Sequence, residues 1–278
     1  MDVALAKRRT QVRQQIHSCR SCALRGACKL PVPFRGPTPA LVTLVGEAPG
    51  RDEDNANTPF IGASGRMLMN LITEETMLRD EDFFICNTVS CRPPSNRNPY
   101  PKEIAACSSN LRAQMALANS KYVLLLGRTA LSAFRSDALI TKTHGRPFKL
   151  GDVTYMPTFH PAAALRDPGT EVAMRHDLTK FFFLLVHNDA FPDDVFAQAA
   201  RLCAEKLDVI DSNPWPDDCE CCDNPVAVYD SMGIAYCVVH DPSRGSIPTG
   251  KEATKLRAKK RKEDQKLKKY IPLVKGDV

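Results

Sequence analysis

At 278 residues, 43% apolar and 25% charged, the chain has the composition of an ordinary folded protein and the length for one sizeable domain plus smaller appendages. No apolar run reaches the length of a membrane span, so we expect no membrane partner. The formal charge of +6 is concentrated: residues 251–270 hold ten Lys/Arg and three Asp/Glu, about +7, which leaves about −1 for everything else.

The opening stretch "MDVALAKRRTQVRQQIHSC" lacks the apolar core of a secretion signal. We therefore expect a cytoplasmic, reducing setting in which the eleven cysteines serve as metal ligands rather than disulfides. Cys19 and Cys22 begin the set as C-x2-C. Residues 41–46 then form a continuous apolar run, as expected of a parallel strand covered on both faces. The run ends in the turn "GEAPG", residues 46–50, and Asp52, Glu53 and Asp54 follow at once. This turn lacks the Gly-Lys-Ser/Thr ending of a P-loop. Pro49 and the acids also oppose a pyrophosphate, so it is no dinucleotide fingerprint.

Residues 66–78 have helical spacing, with Met67, Leu68, Leu71 and Ile72 on one side. Residues 83–88 predict a second strand, with Asn87 near its end. Cys91 and Cys107 flank the loop "RPPSNRNPYPKEIAA". With Cys19 and Cys22 they make two near and two far thiolates, a set that can hold a tetrahedral zinc or a [4Fe–4S] cluster. Spacing alone does not choose between them.

Helical patterns at 102–118 and 128–134 enclose a strand at 122–127. His144, in "THGRPF", reads as a loop residue without a role. A last strand at 153–160 ends on His160, and a helix at 171–186 carries Phe181, Phe182, Leu184 and Leu185. The alternation predicts an α/β domain, a three-layer α/β/α sandwich with a central parallel four-stranded sheet. Ligands of such sheets bind beyond the carboxyl ends of the strands, where the 46–50 turn, Asn87 and His160 fall. Phe60, Asn87 and His160 offer an aromatic face, an amide that both donates and accepts, and an imidazole. Those are the parts needed to grip a planar heterocycle.

Residues 191–212 read as a helical linker, and residues 213–245 as a zinc-ribbon-like segment. There Cys219, Cys222, Cys237 and His240 follow a C-x2-C, C-x2-H pattern that suits a structural Zn2+ in place of a core. "CECC" offers Cys221 as an alternate ligand, and an unmetallated cysteine-rich loop is the competing reading. Residues 246–278 form a basic tail, a solvated end able to order along phosphates. Cys28, Cys86 and Cys203 are left to pack as small apolar groups.

Four motifs stand in order: "GEAPGRDED", "PFIGASG", "NTVSCRPPSNRNP" and "HPAAALRDP". With the four early cysteines they make residues 19–185 resemble the family 4, iron–sulfur type, uracil-DNA glycosylases. The resemblance implies a glycosylase fold over residues 1–190 and a structural [4Fe–4S] cluster on Cys19, Cys22, Cys91 and Cys107. It implies excision of uracil from single- or double-stranded DNA. It assigns His160, Glu53 and Glu47 to catalysis, and Gly46, Ala48, Phe60 and Asn87 to uracil. It sets Gly62, Gly65, Leu165 and Arg166 against DNA. Leu165 is the expected wedge in the vacated base stack, although its bulky neighbour in the family is Ala164 here.

Family 1 relatives carry Gln-Asp-Pro-Tyr where this chain has Glu47-Ala48-Pro49-Gly50. No carboxylate therefore stands at position 48 to orient water. Either Glu53 or Glu47 substitutes or the bond breaks before water commits, and Glu53 is expected to crowd uracil C5 in place of the missing Tyr. We expect a monomer, with replication or repair proteins as partners through the ribbon or tail. A non-catalytic DNA- or protein-binding module on the same fold is the alternative. Relatives that become trapped on their product site insert a basic loop before the motif histidine, and "YMPTFHP" has none.

Overall fold

A computed structural model describes residues 3–188, 190, 191, 195, 198, 199 and 202. The described residues fall into two compact units divided after Phe181. The first unit holds the sheet. In the second, Phe182 meets Phe191 edge-on at 5.7 Å.

Helix α1 (Val3–Ser18) leads into β1 (Val42–Gly46), a run with every residue buried. Helices α2 (Arg51–Ala56) and α3 (Ala63–Glu75) follow, then β2 (Phe83–Asn87), also wholly buried. Helix α4 (Pro101–Ala118) begins with proline at its first position, where no backbone N–H is needed. Strand β3 (Tyr122–Leu126) leads straight into α5 (Gly127–Ser132), and α6 (Ile140–Thr143) comes next. The hairpin β4 (Phe148–Leu150) and β5 (Val153–Thr158) precede the short α7 (Pro161–Ala164) and the long α8 (Pro168–His187).

The sheet order is β2-β1-β3-β5-β4. Strands β2, β1, β3 and β5 are parallel, as the apolar runs predict. The expected count of four is corrected by β4, a fifth strand antiparallel to β5. It is three residues long, and Lys149 and Leu150 are exposed, so it carries no alternating pattern to read. Pro157 in β5 lies past the last β4 pair, where its missing N–H breaks no ladder bond.

On one face, Val45, Phe84, Cys86, Val123, Leu125 and Tyr155 join Val12 and Ile16 of α1, Leu111 and Leu117 of α4, and Leu131 of α5 in one cluster. The alternate positions Leu44, Ile85 and Leu124 are buried as completely, so both faces of the sheet are covered. Helix α3 contributes buried Leu68, Leu71 and Ile72 outside that cluster, and Arg175 of α8 is paired with its Glu74 and Glu75. This is the expected α/β architecture.

Candidate active site

The carboxyl ends of β1, β2 and β5 open into a cleft of about 740 Å³. Gly46, the last residue of β1, is the register partner of Asn87, the last of β2. The turn beyond is fastened to β2's continuation: Thr88 donates to the Gly46 carbonyl through N–H and Oγ1, and Val89 N–H donates to the Glu47 carbonyl. A β-carbon on Gly46 would stand 2.4 Å from Oδ1 of Asn87 and 2.6 Å from Cζ of Phe60. The absent side chain is what lets amide and ring share the floor of the cleft. Asn87 is 5% exposed, and among the described residues its carboxamide has no hydrogen-bond partner. Asn87 lines the cleft, where its amide is free to donate and to accept.

Phe60 has φ 62°, a left-handed conformation that is unfavourable for a bulky residue. Its backbone is seated against Gly65, where a β-carbon would meet the Phe60 carbonyl at 2.4 Å. Glu53, in the first turn of α2, secures both ends of this segment. Its Oε2 accepts from Gly50 N–H at 3.1 Å, and its Oε1 accepts from Gly62 N–H at 2.7 Å. Both oxygens of this buried carboxylate are thereby engaged with backbone. Gly62 leaves room for it, since a β-carbon there would lie 2.9 Å from Oε1.

His160 caps α7, with Nδ1 accepting from Ala162 N–H at 3.2 Å. An accepting Nδ1 carries no proton, so the neutral ring holds its proton on Nε2, the nitrogen left to the cleft. Burial holds the imidazole below its ordinary pKa of 6.5; the nearby Glu47 opposes that shift and Arg166 adds to it. The ring rests against Gly127, which has φ +82° and would put a β-carbon 2.8 Å from Cβ of His160. Glu47 is held by Thr129, whose hydroxyl donates to Oε2 at 2.5 Å. Ala48, Leu165 and Arg166 also line the cleft, and Leu165 is 52% exposed at its rim.

The loop between Cys91 and Cys107 also lines the cleft, bringing Arg92 and Arg97 to it. Glu103, 3% exposed, accepts two hydrogen bonds from the Arg97 guanidinium and one from Tyr100 N–H. Arg97 lies 3.8 Å over the Tyr100 ring.

Cys19, Cys22, Cys91 and Cys107 line a single small pocket. Among the described residues, no three His, Cys, Asp or Glu side chains are grouped to hold one metal ion. One ion needs its thiolates about 2.3 Å from a common point, whereas a four-iron cluster is ligated at four separate irons and takes a wider cage. Arg25 lines the same pocket, and its Nε is buried without a hydrogen-bond partner among the described residues. An anionic group among the four sulfurs would supply the missing acceptor. The neighbouring Cys28, together with burial, pushes the Cys91 thiol pKa up. Cys28 is buried as expected, with its Sγ donating to the Arg25 carbonyl at 3.8 Å, and its contact with Cys91 lowers its own pKa. Cys86, fully buried, is pushed up to about 12. Leu24, Cys28, Val89, Cys91 and Cys107 form one apolar cluster, and Ala48 of the cleft turn packs against it.

The structure thus brings Glu47, Ala48, Glu53, Phe60, Asn87, His160, Leu165 and Arg166 to one cleft, with Gly46 behind its lining against Asn87 and Phe60. Gly62 and Gly65 line it as well. Cys219, Cys222, Cys237 and His240 lie outside the described residues. Sequence reasoning missed Gly127, Thr129, Arg25 and Arg97. The one available sign of Gly127 is the glycine ending the "YVLLLG" run.

Residues 33–183 match the family described as the uracil DNA glycosylase superfamily. A protein named type-4 uracil-DNA glycosylase from Sulfurisphaera tokodaii is 34% identical over 212 residues, covering 73% of this chain and 96% of that protein. One of the same name from Thermotoga maritima is 40% identical over 164 residues, 58% of this chain and 85% of that protein. Another, from Saccharolobus solfataricus, is 36% identical over 178 residues, 61% of this chain and 82% of that protein.

Proposed function

The chain belongs to the uracil-DNA glycosylase superfamily, with type-4 enzymes as its relatives, and we propose that its cleft excises uracil from DNA and leaves an abasic site. The observation that carries this reading is the Gly46 slot, with the Phe60 ring and the unpartnered Asn87 carboxamide side by side. A flipped uracil stacks on Phe60. Asn87 donates to its O4 and accepts from its N3–H.

The bond broken joins C1′ to N1. As it stretches, the sugar gains oxocarbenium character and the departing base gains negative charge. His160 meets that charge at O2 with its Nε2 proton, as a neutral donor. Removing such a donor costs about 10²–10³ in rate. Glu47, fixed by Thr129, is the carboxylate available to the developing cation and to water. Glu53 has both oxygens engaged by Gly50 and Gly62, so its part is a rigid wall that keeps the slot narrow beside uracil C5. Leu165 is exposed at the rim to fill the vacated stack, and Arg166 holds a flanking phosphate.

Cys19, Cys22, Cys91 and Cys107 would hold a [4Fe–4S] cluster, which when bound supplies a structural brace rather than redox chemistry. The shared pocket and the unpartnered Arg25 Nε support that fit. Cys219, Cys222, Cys237 and His240 would hold a structural zinc, and the basic tail would add phosphate contacts; their spacing and charge support both. Release of free uracil from an oligonucleotide with one deoxyuridine tests the proposal. Tight DNA binding without release would sink it in favour of a binding module.

A further inference from the structure

Three consecutive residues before His160 are held by the corner that follows α6 and by Asp177 of α8 bonded to it. Gly145 N–H donates to the Pro157 carbonyl at 2.8 Å. Thr158 donates through Oγ1 to Asp177 of α8 at 2.7 Å, and the same carboxylate accepts from Nδ1 of His144 at 3.0 and 3.2 Å. The His144 ring packs on Phe159 with centroids 4.4 Å apart, and Phe159 lines the cleft. Asp177 is 1% exposed and Thr158 is fully buried. Gly145 turns the corner at φ +68°, where any β-carbon would collide with Asp177 Oδ1.

Burying a carboxylate is costly unless its oxygens are used, and an apolar pair would fill this space more cheaply. What the network adds is position. It fixes strand register at 158, ring placement at 159 and therefore the exit direction of the chain at 160. We propose that His144 is a positioning residue for His160, acting through Asp177 and Thr158. The Nδ1–H of His144 orients the carboxylate, and the carboxylate holds Thr158. The inference rests on the proposed role of His160 in uracil release.

The test is single-turnover uracil release, read beside DNA affinity, for three chains. His144→Phe keeps a ring on Phe159 and removes the donor; His144→Asn keeps a donor near the place of Nδ1 and removes the ring. We expect His144→Phe to slow release by about tenfold or more, since small misplacements of a reacting group are costly in rate. Affinity for the uracil oligonucleotide should stay within about twofold, and His144→Asn should recover most of the rate. An unchanged rate in His144→Phe overturns the inference, as does an equal loss in both variants or a loss that follows affinity. If His144→Phe does not fold, Thr158→Val must show the same rate loss at unchanged affinity, or the inference fails. A wild-type chain that releases no uracil overturns the functional reading itself; wild-type release beside an unaffected His144→Phe overturns this inference alone.

Discussion

Gly46 and Asn87 end two neighbouring parallel strands in register, and the space where Gly46 would carry a methyl group is held by the Asn87 carboxamide. Gly46→Ala should therefore displace the amide and the Phe60 ring while the buried strands beneath stay in place. Uracil release should fall by about 10² or more, because reacting groups tolerate little misplacement. The melting temperature should move by only a few degrees, roughly the effect of 1 kcal/mol. Both are read from a gel-based release assay and a thermal melt.

Asn87→Asp exchanges the donor of the amide for a second acceptor oxygen. The loss should appear as slower uracil release, with cytosine release rising relative to uracil. Paired oligonucleotides that differ only at the target base measure the ratio. An unchanged ratio would mean that Asn87 does not read the ring edge.

The imidazole of His160 is needed neutral, and burial keeps its pKa below 6.5. Activity should be full above that depressed pKa and fall as pH drops through it. The unfolded chain takes up the proton first, so this site's contribution to stability also declines as pH falls from 6.5 toward the folded value. Arg166→Gln removes a cation and should move the acid limb of the single-turnover profile to higher pH. Glu47→Gln removes an anion and should move it to lower pH. Limbs that shift the other way, or not at all, would take His160 out of the profile.

Glu53→Ala leaves the amides of Gly50 and Gly62 without their acceptor. We expect a loss of about 2 kcal/mol in stability, the usual scale for unmet backbone donors. Uracil release should fall, and thymine release should rise relative to it as the wall beside C5 gives way. Denaturant melts and a thymine-containing oligonucleotide check the two halves separately.

Deleting residues 251–278 removes ten Lys/Arg in the 251–270 stretch. The slope of log affinity against log salt should flatten by roughly 0.9 for each phosphate that the tail neutralises in the full chain. Single-turnover release at saturating enzyme should not change. An unaltered slope would mean that the tail does not lie on DNA.

Much of this protein is legible before any coordinates. Strands β1, β2, β3 and β5 announce themselves because parallel strands buried on both faces must be continuous apolar runs. The cleft residues sit at the ends of those runs, so locating the strands locates them. What escapes is long-range or short. Helix α1 buries only Val12 and Ile16, too few for a visible stripe. Strand β4 is three residues of a hairpin. Gly127 reads as the end of a strand but is the first residue of α5, and its purpose is to make room for a histidine 33 positions later. Glu53 reads as a solvated acid or a catalyst until Gly62 is seen donating to it. His144 reads as a loop residue until Asp177 arrives from another helix.

Where this cleft needs space, the chain supplies hydrogen atoms instead of side chains, at Gly46, Gly62, Gly65 and Gly127. Such a workplace is hollowed out rather than built up. At Gly46 and Gly62 an alanine methyl would meet only the side chains of Asn87, Phe60 or Glu53, whereas at Gly65 it would meet the Phe60 backbone and at Gly127 it would strain a left-handed turn. The first two positions set the width of the hollow, and the last two set the path of the chain that walls it.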